Sequence, residues 1–509
     1  MRSPALLLTV CALAACTPRP LAPPTPMAEA PAPRPKNVIL VIGDGMGPQQ
    51  VGLLELYARR APSSPYAGPT AFARMAEEGE TGFSLHYPAD SLVVDSACSA
   101  TQLAIGLPAL SETIGIDAKG EPQQTVLELA KSQGKATGLV SDTRLTHATP
   151  AAFAAHVSHR GKENAIAEQM LATGVDVMLS GGWRHFVPQD ASGSKRKDDR
   201  DLLKEAADQG YVVVRDRTAL ASAGQGKLLG LFSKSGMMDA IEERATRDAA
   251  DRTEPTLRDM AMVALDRLAA DEDGFFVMIE SGQIDWACHA NDAGWLMAEM
   301  RRADEMLTGV LDWAEARGDT LVVVTADHET GGFGLSYNRH DVPAPREIAG
   351  SAFAGESYAP NWNFGPLQTL DGLAAQESAL EDVLYAFDKL PDDQQTAATL
   401  SRMVSDISAF DLSVEAAGRV LATAPDPWDE DHADAPILHD DGAFYYPGSR
   451  TAVIARELGT SQSVVWATGT HTHTPVPVFA FGPGATAFGG LHHHTELGQL
   501  LREAVGGPQ

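Results

Sequence analysis

Positive charge is what this chain has least of. Its 509 residues carry 39 Lys and Arg against 68 Asp and Glu, a formal net charge of -29 at pH 7. Such a surface repels polyanions, which excludes nucleic acid as a partner. An anionic substrate would need local compensation from bound metal ions or an arginine. Cysteine is scarce as well, with four in the chain. Cys11 and Cys16 sit near the N-terminus, so the body holds only Cys98 and Cys288. Nothing in the sequence brings that pair together, and both are expected as free, small, buried thiols. Beyond the first residues, no apolar run reaches the roughly 20 residues that span a bilayer. Aromatics contribute only 6%, and internal repeats are absent. What remains is a chain 44% hydrophobic and long enough to bury a large core.

The N-terminus reads as an export segment. Arg2 precedes an apolar run over 5–15 that is too short to cross a membrane, so 1–15 is predicted as a signal peptide. The run ends in Leu13-Ala14-Ala15-Cys16, which resembles the lipobox of bacterial lipoproteins. That resemblance implies a lipid on Cys16, the chain's one predicted contact with a membrane. Thr17 follows, and analogy with Gram-negative sorting then points to the outer membrane. The chain is therefore expected in the periplasm of a Gram-negative bacterium, free or anchored to that membrane. Residues 16–36 are rich in Pro and Ala without periodicity and read as an extended tether.

From residue 37, short apolar runs alternate with helical patterns. "KNVILVIG", "KATGLVSD", "VDVMLSGG", "YVVVRD", "GFFVMIE", "TLVVVTAD" and "VPVFAFGPG" read as strands. "TVLELAKSQ", "ENAIAEQMLATG", "TLRDMAMVALDRLAAD" and "WLMAEMRRADEMLTGVLDWAEAR" read as helices. Continuous apolar strands alternating with helices predict an α/β fold with a doubly wound, mostly parallel central sheet and helices on both faces. The alternation lapses over 337–448, an expected helical and irregular insertion that caps the site or makes a dimer contact. The core thus comprises 37–336 and 449–509.

In such folds ligands sit at the carboxyl ends of the strands. Several strands here end in Asp44, Asp142, Glu280 and Asp327. Other polar clusters join them: "DSACSAT" with Asp95 and Ser96, and "THATPAAFAAHVSHR" with His147, Thr149 and Arg160. "IESGQIDWACH" adds Asp285 and His289, "TADHETGG" adds His328, and "GTHTHTPVPVFAFG" adds His471. Mixed carboxylate and imidazole donors suit zinc, whereas an all-oxygen set suits magnesium. Asp285 and His289, four residues apart, share one side of a helical turn. "GDGMG" lacks the full glycine spacing of a dinucleotide loop.

Six such motifs in this order resemble the alkaline phosphatase family, over about residues 37–336 and 450–490. The resemblance implies an exported hydrolase of small phosphate monoesters, releasing inorganic phosphate through a phosphoserine intermediate on Ser96. It implies two zinc ions, one held by Asp285, His289 and His471, the other by Asp44, Asp327, His328 and Ser96. A third site, usually magnesium, falls to Asp44, Thr149 and Glu280. Arg160 corresponds to the arginine that grips two phosphate oxygens, and Asp95 orients it. The family also implies a homodimer. Cys98 belongs to helix packing, because "CSATQ" lacks the Pro and Arg of the sulfatase signature. His147 and Trp286 stand where the best-known enteric enzyme has Asp and Lys, so the third site is less purely oxygen-lined. The competing readings are a diesterase or phosphonate hydrolase of the same superfamily and a binding lipoprotein without turnover. His156 is expected as packing within a helix. His492, His493 and His494 are expected in a solvated turn, and "SGGWRHF" in a structural turn. The Met-rich helix over 291–317 is expected as core or interface.

Overall fold

The computed structural model describes residues 34–422 and 449–507. The signal segment, Cys16 and most of the tether lie outside the described residues, as does 423–448 of the insertion. Fourteen strands are described. In chain order they are β1 (Asn37–Gly43), β2 (Glu80–Leu85), β3 (Ala136–Arg144), β4 (Val177–Gly181), β5 (Val212–Val214), β6 (Leu228–Leu231) and β7 (Phe275–Ser281). They continue with β8 (Thr320–Ala326), β9 (Glu329–Thr330), β10 (Gly334–Leu335), β11 (Val464–Val465), β12 (His471–Thr472), β13 (Val476–Phe481) and β14 (Gly490–His493).

Ten of them form one sheet in the order β14-β2-β13-β8-β1-β7-β3-β4-β6-β5. All its pairings are parallel except those of β13, which runs antiparallel to both β2 and β8. The central strands β1, β7 and β8 are buried at every position because both faces are covered. In β1, Ile39 and Val41 enter the core on one face, while Val38, Leu40 and Ile42 enter the core on the other. The long helix Ala293–Arg317 packs on the first face through Leu296, Met297, Met300 and Met306, so this Met-rich stretch is core. The helices Ser96–Ile105, Val126–Ser132, Ala148–Ala154 and His494–Ala504 supply the second. No helix among the described residues is long and apolar enough to cross a membrane.

The described part of 337–448 holds the helices Gln368–Ala374, Leu380–Asp388, Ala397–Ile407 and Val414–Leu421. Val383, Phe387, Leu400, Val404 and Val420 form a small core that also takes in Ile454 and Leu458 of the helix Arg450–Gln462. This body is tied to the main core through Asp292, whose carboxylate accepts from the Leu380 N–H (2.8 Å) and from Gln376 Nε2 (2.8 Å).

Two expectations about histidines need correction. The triple histidine is no solvated turn. His492 and His493 complete β14, and His494 is fully buried, with Nδ1 2.6 Å from Ser84 Oγ and Nε2 facing the Ala326 and Asp327 carbonyls. A sheet partner, β2, converts an apparent loop into an edge strand. His156 lies outside the helix, which ends at Ala154. Its Nε2 pairs with Glu128 at 2.9 Å and its Nδ1 with the Gly115 carbonyl at 2.7 Å.

Candidate active site

The sheet order β8-β1-β7-β3 sets four carboxyl ends side by side, and the polar residues collect there. Asp44 follows β1, Glu280 lies in β7 and Asp327 follows β8. His147 opens the helix after β3, and Thr149 lies within it. Asp285 and His289 share the short helix Gln283–His289 that follows β7. His471 comes from the far end of the sequence. β12 pairs antiparallel with β9 and sets it opposite Thr330. Gly45 (φ +75) allows the Asp44 loop to approach this site, since a Cβ there would lie 2.8 Å from the Asp285 Cα.

Three donor groups result: Asp285, His289 and His471; Asp44, Asp327 and His328; Asp44, His147 and Glu280. Within each group the donor atoms all lie within 4.8 Å of one another. Asp44 belongs to two groups and bridges them. Their hydrogen bonding leaves donor atoms that a cation could take. Buried polar atoms are ordinarily paired. Yet both Asp44 oxygens, Asp327 Oδ2, Glu280 Oε1, Thr149 Oγ1 and His147 Nδ1 are buried with no hydrogen-bond partner. Each belongs to a residue that the sequence singled out as a ligand.

The imidazoles are oriented for the same task. His289 Nδ1 faces the Gly469 carbonyl at 2.7 Å, and His471 Nδ1 faces that of Val94 at 2.8 Å. Donation to those carbonyls leaves both Nε2 lone pairs turned inward, 3.2 Å apart, an arrangement that a cation between them stabilises. His328 Nδ1 meets Thr330 Oγ1 at 3.2 Å, and that hydroxyl donates to Asp285 at 2.6 Å. His328 Nε2 is then directed at Asp327 (3.2 Å), Asp44 (3.5 Å) and Ser96 Oγ (3.3 Å).

Burial, then the charges of Asp327, Asp285 and Glu280, push the Asp44 carboxyl well above its usual range. Burial raises Glu280 to about 8 and, with the Asp285 charge, Asp327 to about 7. Burial pushes Asp285 up too, but the neighbouring imidazoles of His289, His471 and His328 more than offset it and hold this carboxylate below its usual range. Burial keeps His147 and His328 neutral and lowers His471 to about 4. So many carboxylates cannot all be ionised together without cations, and neutral imidazoles are the form that binds them.

Ser96 is the first residue of the helix Ser96–Ile105. Asp95 caps that helix, accepting from Ala97 and Cys98 N–H groups at 3.2 Å each, and also accepts from Arg160 Nη1 at 2.9 Å. Arg160 Nη2 lies 3.3 Å from His147 Nε2. One carboxylate therefore fixes both the Ser96 helix and the guanidinium beside it. A cavity of about 510 Å³ opens over Ser96, Arg160, His289 and His471. Cys98 packs against Val94 and Ala109, and Cys288 is buried near Gln50; both thiols are free.

The structure thus gathers Ser96, Asp95, Arg160 and all the expected ligands in one place. Asp142 is the strand-end acid left out: it lies behind the site, paired with Arg302 at 2.7 Å. His473 packs against His86 and Tyr87 instead of joining His471. Ser141 and Thr143, unremarked in the sequence, both donate to Glu280 Oε2. Pairing between β3 and β4 skips from Val140 to Arg144, and both hydroxyls fall in that irregular stretch. The other residues missed were Glu112 and Glu381, which line the cavity with Trp286.

The family model described as alkaline phosphatase matches residues 35–418. Alkaline phosphatase 3 of Bacillus subtilis is 32% identical over 482 residues, covering 92% of this chain and 89% of the relative. The repressible alkaline phosphatase of Saccharomyces cerevisiae is 36% identical over 352 residues, 63% of this chain and 60% of the relative. The crystal structure of Thermus thermophilus alkaline phosphatase superposes with a TM-score of 0.76 at 28% identity, covering 94% of this chain and 92% of the other. The chain belongs to the alkaline phosphatase family and is a metal-dependent hydrolase of phosphate monoesters.

Proposed function

We propose that Ser96 is the nucleophile of a broad phosphate monoesterase and that the three donor groups hold two zinc ions and one magnesium ion. The observation that carries this reading is the coincidence of unpartnered buried donor atoms with the expected ligands. Asp285, His289 and His471 suit one zinc, Asp44, Asp327 and His328 with Ser96 Oγ the other, and their mixed nitrogen and oxygen donors fit that metal. Asp44, Thr149 and Glu280 suit the third ion, with the His147 nitrogen beside them. Bound there, the metals would supply positive charge for the reacting oxygens and lower the pKa of hydroxyl and water.

The chain's own groups do the rest. Arg160, held by Asp95, binds two phosphate oxygens and aligns phosphorus with Ser96 Oγ. The Oγ–P bond forms as the ester P–O bond breaks and the alcohol leaves with a proton. Water then cleaves the Oγ–P bond, freeing inorganic phosphate and restoring the serine. Arg160 and the third donor group favour monoesters over the diesterase alternative. Initial rates on p-nitrophenyl phosphate and its bis-ester test this. Turnover of the monoester alone, lost on chelation and restored by metal, is the expected result. Preference for the bis-ester would contradict it.

Trp286 occupies the cavity wall where a lysine would add a cation near the phosphate. Trp286→Lys is expected to tighten inhibition by inorganic phosphate severalfold. An unchanged inhibition constant would show that this position does not govern product release. Export as a lipoprotein through Cys16, a periplasmic or outer-membrane location and a homodimer belong to the same proposal. The described part of 337–448 would serve there as a cap, since it supplies Glu381 to the cavity.

A further inference from the structure

The catalytic cavity has a second chemical character in the wall around its phosphate clamp. Glu112, Glu381 and Trp286 line it together with Ser96 and Arg160. None of the three belongs to a donor group for metal. Their placement is built into the fold. Glu112 holds a left-handed backbone (φ 63) that is costly for a residue with a side chain. It is kept there by its own N–H, which donates to Asp95 Oδ1 at 2.8 Å, and by its carbonyl, which accepts from Arg160 N–H at 2.8 Å. The phosphate clamp and Glu112 are therefore one rigid unit. Glu112 Oε2 also lies 2.8 Å from His159 Nε2, with both side chains more than half exposed.

Glu381 arrives from the insertion. It is the second residue of the helix Leu380–Asp388, whose Leu380 N–H is bonded to Asp292. Asp292 in turn caps the helix Ala293–Arg317, three positions after His289. This short chain of contacts carries Glu381 to the cavity wall. Glu381 keeps contact with solvent, but burial of its carboxyl, then the charges of Asp292 and Asp382, raise it to about 7, so it is fully ionised only at alkaline pH. Trp286 adds an aromatic wall. Its ring is set edge-on to His147 at 6.1 Å, and Gly236 makes room for it, since a Cβ there would lie 2.5 Å from the indole.

An aromatic wall with carboxylates beside it is the chemistry that holds ammonium groups. Bound metals and Arg160 concentrate positive charge on the phosphoryl end, while the remaining wall is acidic and aromatic. We propose that this cavity selects phosphate monoesters whose alcohol carries a cationic ammonium group, with Glu381, Glu112 and Trp286 as the recognising side chains. The inference rests on the monoesterase reading of the same site.

A pair of isosteric esters tests it: 2-(trimethylammonio)ethyl phosphate, whose charge does not titrate, and its neutral carbon analogue 3,3-dimethylbutyl phosphate. The ratio of kcat/KM for the two is expected at about fivefold in favour of the cation, the size of a partly exposed ion pair plus a cation–π contact. Glu381→Gln should bring that ratio towards one, and Glu381→Lys should invert it. Because a ratio is read, a general loss of activity or of folded protein cancels between the two esters. Equal turnover of both esters by the unaltered protein, or a ratio untouched by Glu381→Lys, would overturn the proposal while leaving the monoesterase standing. Turnover of neither ester would remove the monoesterase reading and this inference with it.

Discussion

Ser96→Ala is expected to lower kcat/KM for a simple phosphate monoester by about 10⁵-fold, the scale seen when a nucleophile is deleted. Stability should hardly change. Ser96 occupies the first turn of its helix, where alanine is well tolerated, and Asp95 supplies the cap. Its hydroxyl approaches one side-chain partner, His328 Nε2. The defining measurement is acid quenching during turnover of a phosphate-labelled ester, followed by counting label on the protein. The unaltered chain should retain label on Ser96, and the alanine variant none. If the variant still carries labelled serine, another residue is the nucleophile. If it turns over at near-normal rate without label, water attacks the ester directly, and Ser96 serves only as a ligand.

The fold was readable because its central strands are buried on both sides. β1, β7 and β8 are mostly apolar and wholly buried, and each places a carboxylate within or just past its end. Parallel pairing puts Asp44, Glu280 and Asp327 at one edge of the sheet, and the strand order β8-β1-β7 makes them neighbours. His471 was reachable only through the resemblance, by counting back from the next apolar strand to the family's ligand position, and its pairing with Thr330 through β12 and β9 holds it there. The edge strands were not readable. β2 alternates buried and exposed positions and is polar at half of them, and β14 is Gly-Leu-His-His, which acquires meaning only when paired to β2. That pairing buries His494 and defeats the expectation of a solvated turn. Ser141 and Thr143 were missed because a hydroxyl in a strand carries no signal of its own. Their role follows from the pairing of β3 with β7, which sets Ser141 opposite Glu280. Glu381 was missed for another reason: nothing local in an insertion tells which core loop it docks against, and Asp292 decides that across a gap of 88 residues.

Metal removal should cost the protein both its activity and its alkaline stability. On the proposed reading the donor groups hold cations, and without them Asp44, Glu280 and Asp327 must coexist in a closed space. Protons then take the place of metal. In the stripped fold Glu280 is raised to about 8 and Asp327 to about 7, each above its value in the unfolded chain, mainly by burial. A group raised in this way binds its proton more tightly when folded. Its favourable contribution is complete below the unfolded pKa and is lost as pH climbs through the folded one. Between pH 7 and 9 the neutral imidazoles of His147, His328 and His471 add little slope, because free histidine is already mostly deprotonated at pH 7. The carboxylates should remove about 2 kcal/mol from the stripped protein in that window, and His289, which Asp285 raises against burial, loses its contribution in the same direction. Three ions each bound at about 1,000 times their dissociation constant add roughly 4 kcal/mol apiece, which for a chain of this length is a Tm difference of about 10 °C. Calorimetry of loaded and chelated protein at pH 7, 8 and 9 should show that gap, widening with pH. A gap that stays constant or narrows towards pH 9 would mean that these carboxylates are not repelling one another in the empty site. Glu280→Gln provides the internal check: it removes one titrating acid, so the chelated variant should lose stability less steeply with pH while binding the third ion more weakly.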